Sequence, residues 1–85
     1  MAKKGRTDLT PANNLASNGV YVLMDDITME SCRECIKWIM NHNLSDNRLP
    51  QLTLIINSPG GDVHAAFALI DTMKASSIPI KTVGL

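Results

Sequence analysis

With 85 residues, 45% of them hydrophobic and 19% charged, the chain has the composition of one small globular domain or of a piece of a larger one. Its formal net charge is zero and only 4% of it is aromatic, which leaves neither an electrostatic footprint nor a stacking surface for nucleic acid. No apolar run reaches the length of a membrane span, and the basic start (Lys3, Lys4, Arg6) is not followed by a signal-peptide core. No nucleic acid or membrane is therefore expected as a partner, and cytoplasm is the expected compartment.

Residues 1–18 are polar, rich in Thr, Asn and Ser, and without hydrophobic periodicity, so they read as a flexible N-terminal arm. Residues 20–24 (VYVLM) form an unbroken apolar, β-prone run, which predicts a strand covered on both faces. Asp25, Asp26 and Ile27 break it, and Thr28 is placed to cap a helix. From residue 29 to about 42, Met29, Cys32, Ile36, Ile39 and Met40 recur at helical spacing, with Ser31, Arg33, Glu34, Lys37 and Asn41 on the other side.

A polar loop with Pro50 leads into the strongest predicted strand, residues 52–56 (LTLII). The turn Asn57-Ser58-Pro59-Gly60-Gly61 follows. Asp62 then stands at the start of a second helix, residues 63–74, where a carboxylate suits the positive end of the dipole. Ser76, Ser77 and Pro79 end that helix, and residues 80–85 form a last strand. No internal repeat is visible.

The order β-α-β-α-β predicts an α/β domain over residues 19–85 whose strands are parallel and joined by right-handed crossovers. Ligands of such sheets gather at the carboxyl ends of the strands, where the Gly60-Gly61 turn lies. Three parallel strands leave two open edges. The sheet is therefore expected to be incomplete at its C-terminal end, either covered by another chain or continued by a longer protein.

Adjacent glycines at a strand-to-helix junction can take positive φ angles and leave backbone N–H groups bare. Such donors can bind a peptide backbone or stabilise the oxyanion of an attacked carbonyl; the plain alternative is a turn that only reverses the chain. The stretch has neither G-x-G-x-x-G nor a P-loop ending, so no phosphate cradle is expected. Ser58, His64 and Asp62 or Asp71 supply the residue types of a triad, but Ser58 precedes a proline and lacks the G-x-S-x-G pattern. His64 reads as a rim histidine and His42 as a favourable helix-end residue.

Cys32 and Cys35 form a C-x-x-C pair past the first residues of the first helix, between Glu30 and Glu34, where the field does not favour a thiolate. A zinc site would have only His42 and His64 as further ligands, at irregular spacing. Packed thiols are expected, with no metal and no cofactor.

The run Ile56-Asn57-Ser58-Pro59-Gly60-Gly61, followed by an Ala-rich helix with Ile70-Asp71-Thr72-Met73, resembles the proteolytic subunit of the Clp protease (ClpP) family. The likeness extends back through residues 20–23, the Cys-containing helix and residues 52–55, and so covers residues 19–85. Signal peptide peptidase A and its relatives look similar at the Asn-Ser-Pro-Gly-Gly motif, and both groups belong to the crotonase-like fold of stacked β-α-β units.

The resemblance implies a serine endopeptidase that hydrolyses unfolded polypeptides in a chamber of two stacked homo-oligomeric rings, fed by an AAA+ unfoldase. It also implies that Gly61 supplies an oxyanion-hole N–H and that Gly60, Gly61, Asp62 and Val63 lie beside the bound peptide. The family's Ser, His and Asp come after the point where Leu85 stands, so no triad is expected in this chain and residues 1–85 alone are expected to be inactive. Two alternatives remain beside this reading: a catalytically inactive ring or regulatory subunit, and a hydrolase of the signal-peptide-peptidase type.

Overall fold

A computed structural model describes residues 15–85. After a helical turn at residues 15–17, five elements follow: β1 (Val20–Leu23), α1 (Met29–Asn43), β2 (Leu52–Ile56), α2 (Val63–Ala75) and β3 (Ile80–Gly84). The alternation read from the sequence is the one found. The reading of residues 1–18 as an arm falls mostly on residues 1–14, outside the described residues.

The strands form a parallel sheet in the order β1-β2-β3, with Val20 opposite Thr53 and Leu52 opposite Ile80. α1 and α2 pack against each other and share one core with the sheet: Leu23, Cys32, Cys35, Trp38, Ile39, Leu52, Leu54, Ala65, Leu69 and Ile78. With both helices on one side, no element among the described residues covers the other side of the sheet. Partners in a parallel register share a face, so Val20, Val22, Ile55 and Val83 lie with Thr53 and Lys81 on that side. Val22 is 38% exposed. The expectation that the first strand is covered on both faces is thus corrected among the described residues. Apolar runs signal burial without saying on how many sides.

α1 begins at a capping box. Thr28 Oγ1 accepts from Ser31 N at 3.0 Å, and Ser31 Oγ accepts from Thr28 N at 2.9 Å. Its inner face is Cys32, Cys35, Trp38 and Ile39, whereas Met29 and Met40 are 58% and 52% exposed. The sequence reading gave those methionines to the core. The buried seam runs through both cysteines, as expected of packed thiols, and through Trp38 and Ile39.

His42 does more than end the helix. Its Nε2 donates to the carbonyl oxygen of Ala16 at 2.8 Å, beside Trp38 Nε1 at 3.0 Å, so one carbonyl takes two bonds and the turn at residues 15–17 is tied to α1.

At the far end of α1, Asn43 joins the helices. Its Nδ2 donates to Ile39 O and to Ser76 Oγ, both at 2.9 Å. Its Oδ1 accepts from Ser77 N at 2.7 Å and from Ser77 Oγ at 2.6 Å. The end of α2 is therefore fixed by a satisfied amide as well as by Pro79.

Candidate functional site

The strands all end at the same side of the sheet, and the β2–α2 connection sits there. Asn57 N donates to Leu23 O at 2.9 Å and carries the β1–β2 ladder one step past β2. Ser58 Oγ then accepts from Gly60 N at 3.2 Å and lies 3.4 Å from Gly60 O, closing a local serine turn. Gly60 and Gly61 have φ of +118° and +146°.

The glycines are needed for different reasons. A Cβ on Gly60 would meet open space, so only its dihedral excludes a side chain. A Cβ on Gly61 would sit 2.3 Å from the carbonyl oxygen and 2.9 Å from the nitrogen of Ile27. Ile27 lies in the β1–α1 connection and forms an isolated parallel bridge with Gly61: Ile27 N donates to Gly60 O at 2.9 Å, and Asp62 N donates to Ile27 O at 2.7 Å.

This bridge sorts the donors of the turn. Gly60 N is held by Ser58, Asp62 N by Ile27, and His64 N and Ala65 N by the Asp62 carboxylate at 2.9 and 3.2 Å. Gly61 N differs. Its peptide plane also carries Gly60 C=O, which faces Ile27; in a trans peptide the N–H faces the opposite way. Gly61 is exposed, and its N–H has no acceptor among the described residues. One oriented, unpartnered donor thus stands at the carboxyl edge of the sheet, one residue before the Asp62 cap of α2. Val63, the first residue of α2, is also exposed beside it.

Of the triad residue types, the Ser58 and Asp62 side chains are engaged otherwise. Ser58 Oγ binds the Gly60 peptide, the Asp62 carboxylate caps α2, and His64 is exposed with its backbone N on that cap. Among the described residues no three His, Cys, Asp or Glu side chains gather where they could hold a metal ion. No helix there is long and apolar enough to cross a membrane.

Cys32 and Cys35 are free thiols inside the core. Burial, then the neighbouring Cys32, pushes the Cys35 thiol up to about 12. Burial also raises Cys32, against a lowering hydrogen bond from Ser31 and with a further rise from Asp62. Both cysteines are therefore expected to react with iodoacetamide at neutral pH far more slowly than in urea. Rapid labelling of Cys32 in the native chain, read by mass spectrometry, would contradict this. Because the folded Cys35 holds its proton more tightly than the unfolded one, its contribution to stability is full below about pH 9 and is lost as pH rises towards 12.

The sequence reading passed over Ile27 and Ser31. Ile27 is the apolar residue just before the cap, a position that often fixes how a chain enters a helix. Ser31 stands where a capping box usually carries Glu or Gln, which hid the box.

Comparison with known proteins places these features in context. The family model described as Clp protease matches residues 3–85. The chain is 32% identical over 74 residues to the ATP-dependent Clp protease proteolytic subunit 1 of Rhodopirellula baltica, covering 87% of this chain and 32% of that protein. It is 39% identical over 59 residues to the subunit 1 of Chlamydia trachomatis, covering 69% of this chain and 30% of the relative. It is 36% identical over 61 residues to the proteolytic subunit 2 of Nocardia farcinica, covering 72% of this chain and 28% of the relative. The chain spans less than a third of the length of these relatives.

Proposed function

The chain belongs to the Clp protease family, and from that premise we propose that it carries the oxyanion and substrate-strand half of a serine endopeptidase site. The observation that supports this reading is the unpartnered Gly61 N–H, held in place by Ile27 at the carboxyl edge of the sheet. An N–H so oriented suits a carbonyl oxygen that becomes negative on attack, and one such donor contributes roughly 3 kcal/mol to the transition state. Gly60, Gly61, Asp62 and Val63 flank the bound polypeptide, with the Gly61 N–H as the donor left free to meet it. The nucleophilic serine, the histidine and the aspartate come from outside residues 1–85, so this chain by itself hydrolyses no peptide. Homo-oligomeric stacked rings, an AAA+ unfoldase partner and a cytoplasmic site of action belong to the same proposal.

The test is a chimera in which residues 19–85 replace the matching stretch of the Rhodopirellula baltica subunit. The chimera is expected to assemble, to take a fluorophosphonate label and to cleave a fluorogenic peptide, while the 85-residue chain takes no label. An assembled chimera that labels but does not cleave would refute the oxyanion role and favour a non-catalytic subunit. Labelling of the 85-residue chain would refute the reading of Ser58.

A further inference from the structure

The Gly61 donor is the end of a longer hydrogen-bonded line. Ser31 Oγ donates to Asp26 O at 2.9 Å, with a weaker contact to Thr28 O at 3.3 Å. The Asp26 carbonyl shares its peptide group with Ile27 N, which donates to Gly60 O at 2.9 Å. The Gly60 carbonyl in turn shares its peptide group with Gly61 N. A hydroxyl, two peptide groups and the free N–H therefore stand head to tail, each donor aimed at the next acceptor.

Ser31 holds the other side of Ile27 as well. It accepts from Thr28 N at 2.9 Å, and Thr28 N shares its peptide group with Ile27 O, the acceptor for Asp62 N at 2.7 Å. One hydroxyl thus grips the outer ends of both Ile27 peptide groups, while their inner ends grip the residues on either side of Gly61.

We propose that Ser31 is a positioning residue that orients and polarises the Gly61 N–H through the peptide groups of Ile27 and Gly60. The proposal rests on the reading of Gly61 as an oxyanion donor for its catalytic meaning. Aligned hydrogen bonds strengthen one another, so a proton donated at Asp26 O makes Ile27 N–H a better donor, and that makes Gly61 N–H a better one. Of the two capping bonds, Ser31 N to Thr28 Oγ1 is separate from this line, whereas Thr28 N to Ser31 Oγ ends on the hydroxyl that starts it. Capping by itself does not call for the further bond from that hydroxyl to Asp26 O.

The experiment is amide exchange and 15N–1H NMR on the 85-residue chain with Ser31→Ala, Ser31→Thr and Thr28→Ala. Ser31→Ala removes the bond to Asp26 O and the acceptor of Thr28 N, and is expected to speed exchange at Ile27 about five- to tenfold, the size of one net hydrogen-bond contribution. It should also shift the Gly61 amide resonance and leave Leu54 unchanged. Ser31→Thr, which keeps the hydroxyl, restores both signals. Thr28→Ala loosens the Ser31 amide without moving Gly61.

Three outcomes would overturn the proposal: Ile27 and Gly61 unmoved in Ser31→Ala, Leu54 rising as much as Ile27, or Thr28→Ala reproducing the Gly61 shift. None of them depends on hydrolysis. An inactive chimera would sink the functional reading and leave this arrangement standing, and the reverse holds too.

Discussion

Gly61→Val in the chimeric subunit is expected to lower kcat about a hundred- to a thousandfold, the loss typical of removing one oxyanion donor. The cause lies in where the side chain would go. Its Cβ would fall 2.3 Å from Ile27 O, so the Gly60–Gly61 peptide must swing away from the bridge and take the N–H with it. An interaction made only in the transition state lowers kcat and kcat/KM together, so KM should change little. Gly60→Ala separates strain from clash, since its Cβ enters open space and brings backbone strain of about 1–3 kcal/mol without the collision at Ile27. Peptidase kinetics with ring assembly followed by native mass spectrometry decide the matter. Unchanged turnover in an assembled Gly61→Val chimera would remove the oxyanion role.

Leu54→Ala is expected to destabilise the 85-residue chain by about 3 kcal/mol, within the range for emptying a fully buried leucine site. Leu54 is 0% exposed in the central strand, with Tyr21 and Thr82 opposite it in register. For a chain of this length the whole folding free energy is of order 4–13 kcal/mol, so the loss is a large fraction of it. Urea unfolding followed by far-UV circular dichroism measures the change. A midpoint that does not move would mean that β2 does not carry the core.

The element order was legible because each element announces itself locally: β-prone apolar runs, Thr28 and Asp62 at cap positions, and Pro and Gly at the breaks. The carboxyl-edge position of Gly60 and Gly61 followed from the parallel order alone. What the sequence did not reveal depends on approach between segments distant along the chain. Nothing near Gly61 says that Ile27, more than thirty residues earlier, would come within bridging distance. The reason glycine is required there, and the single direction left to its N–H, are therefore visible only in three dimensions.

The apolar face of α1 was legible in part: Cys32 and Ile39 are buried and both thiols are packed as expected, whereas Met29 and Met40, on the same predicted stripe, are exposed. His42 was underread as well, because its partner is a backbone carbonyl with no signature in the sequence.

The two hydrogen bonds that Trp38 and His42 donate to Ala16 O give the chain a built-in optical gauge. Trp38 is its only tryptophan; the indole ring lies 5.2 Å from Tyr21 and 5.6 Å from His42 by ring centroids, and its N–H is held by Ala16. Its emission therefore registers the seating of the chain's entry turn on α1, about which far-UV dichroism is nearly silent. The two signals followed together separate the undocking of that turn from the melting of the sheet.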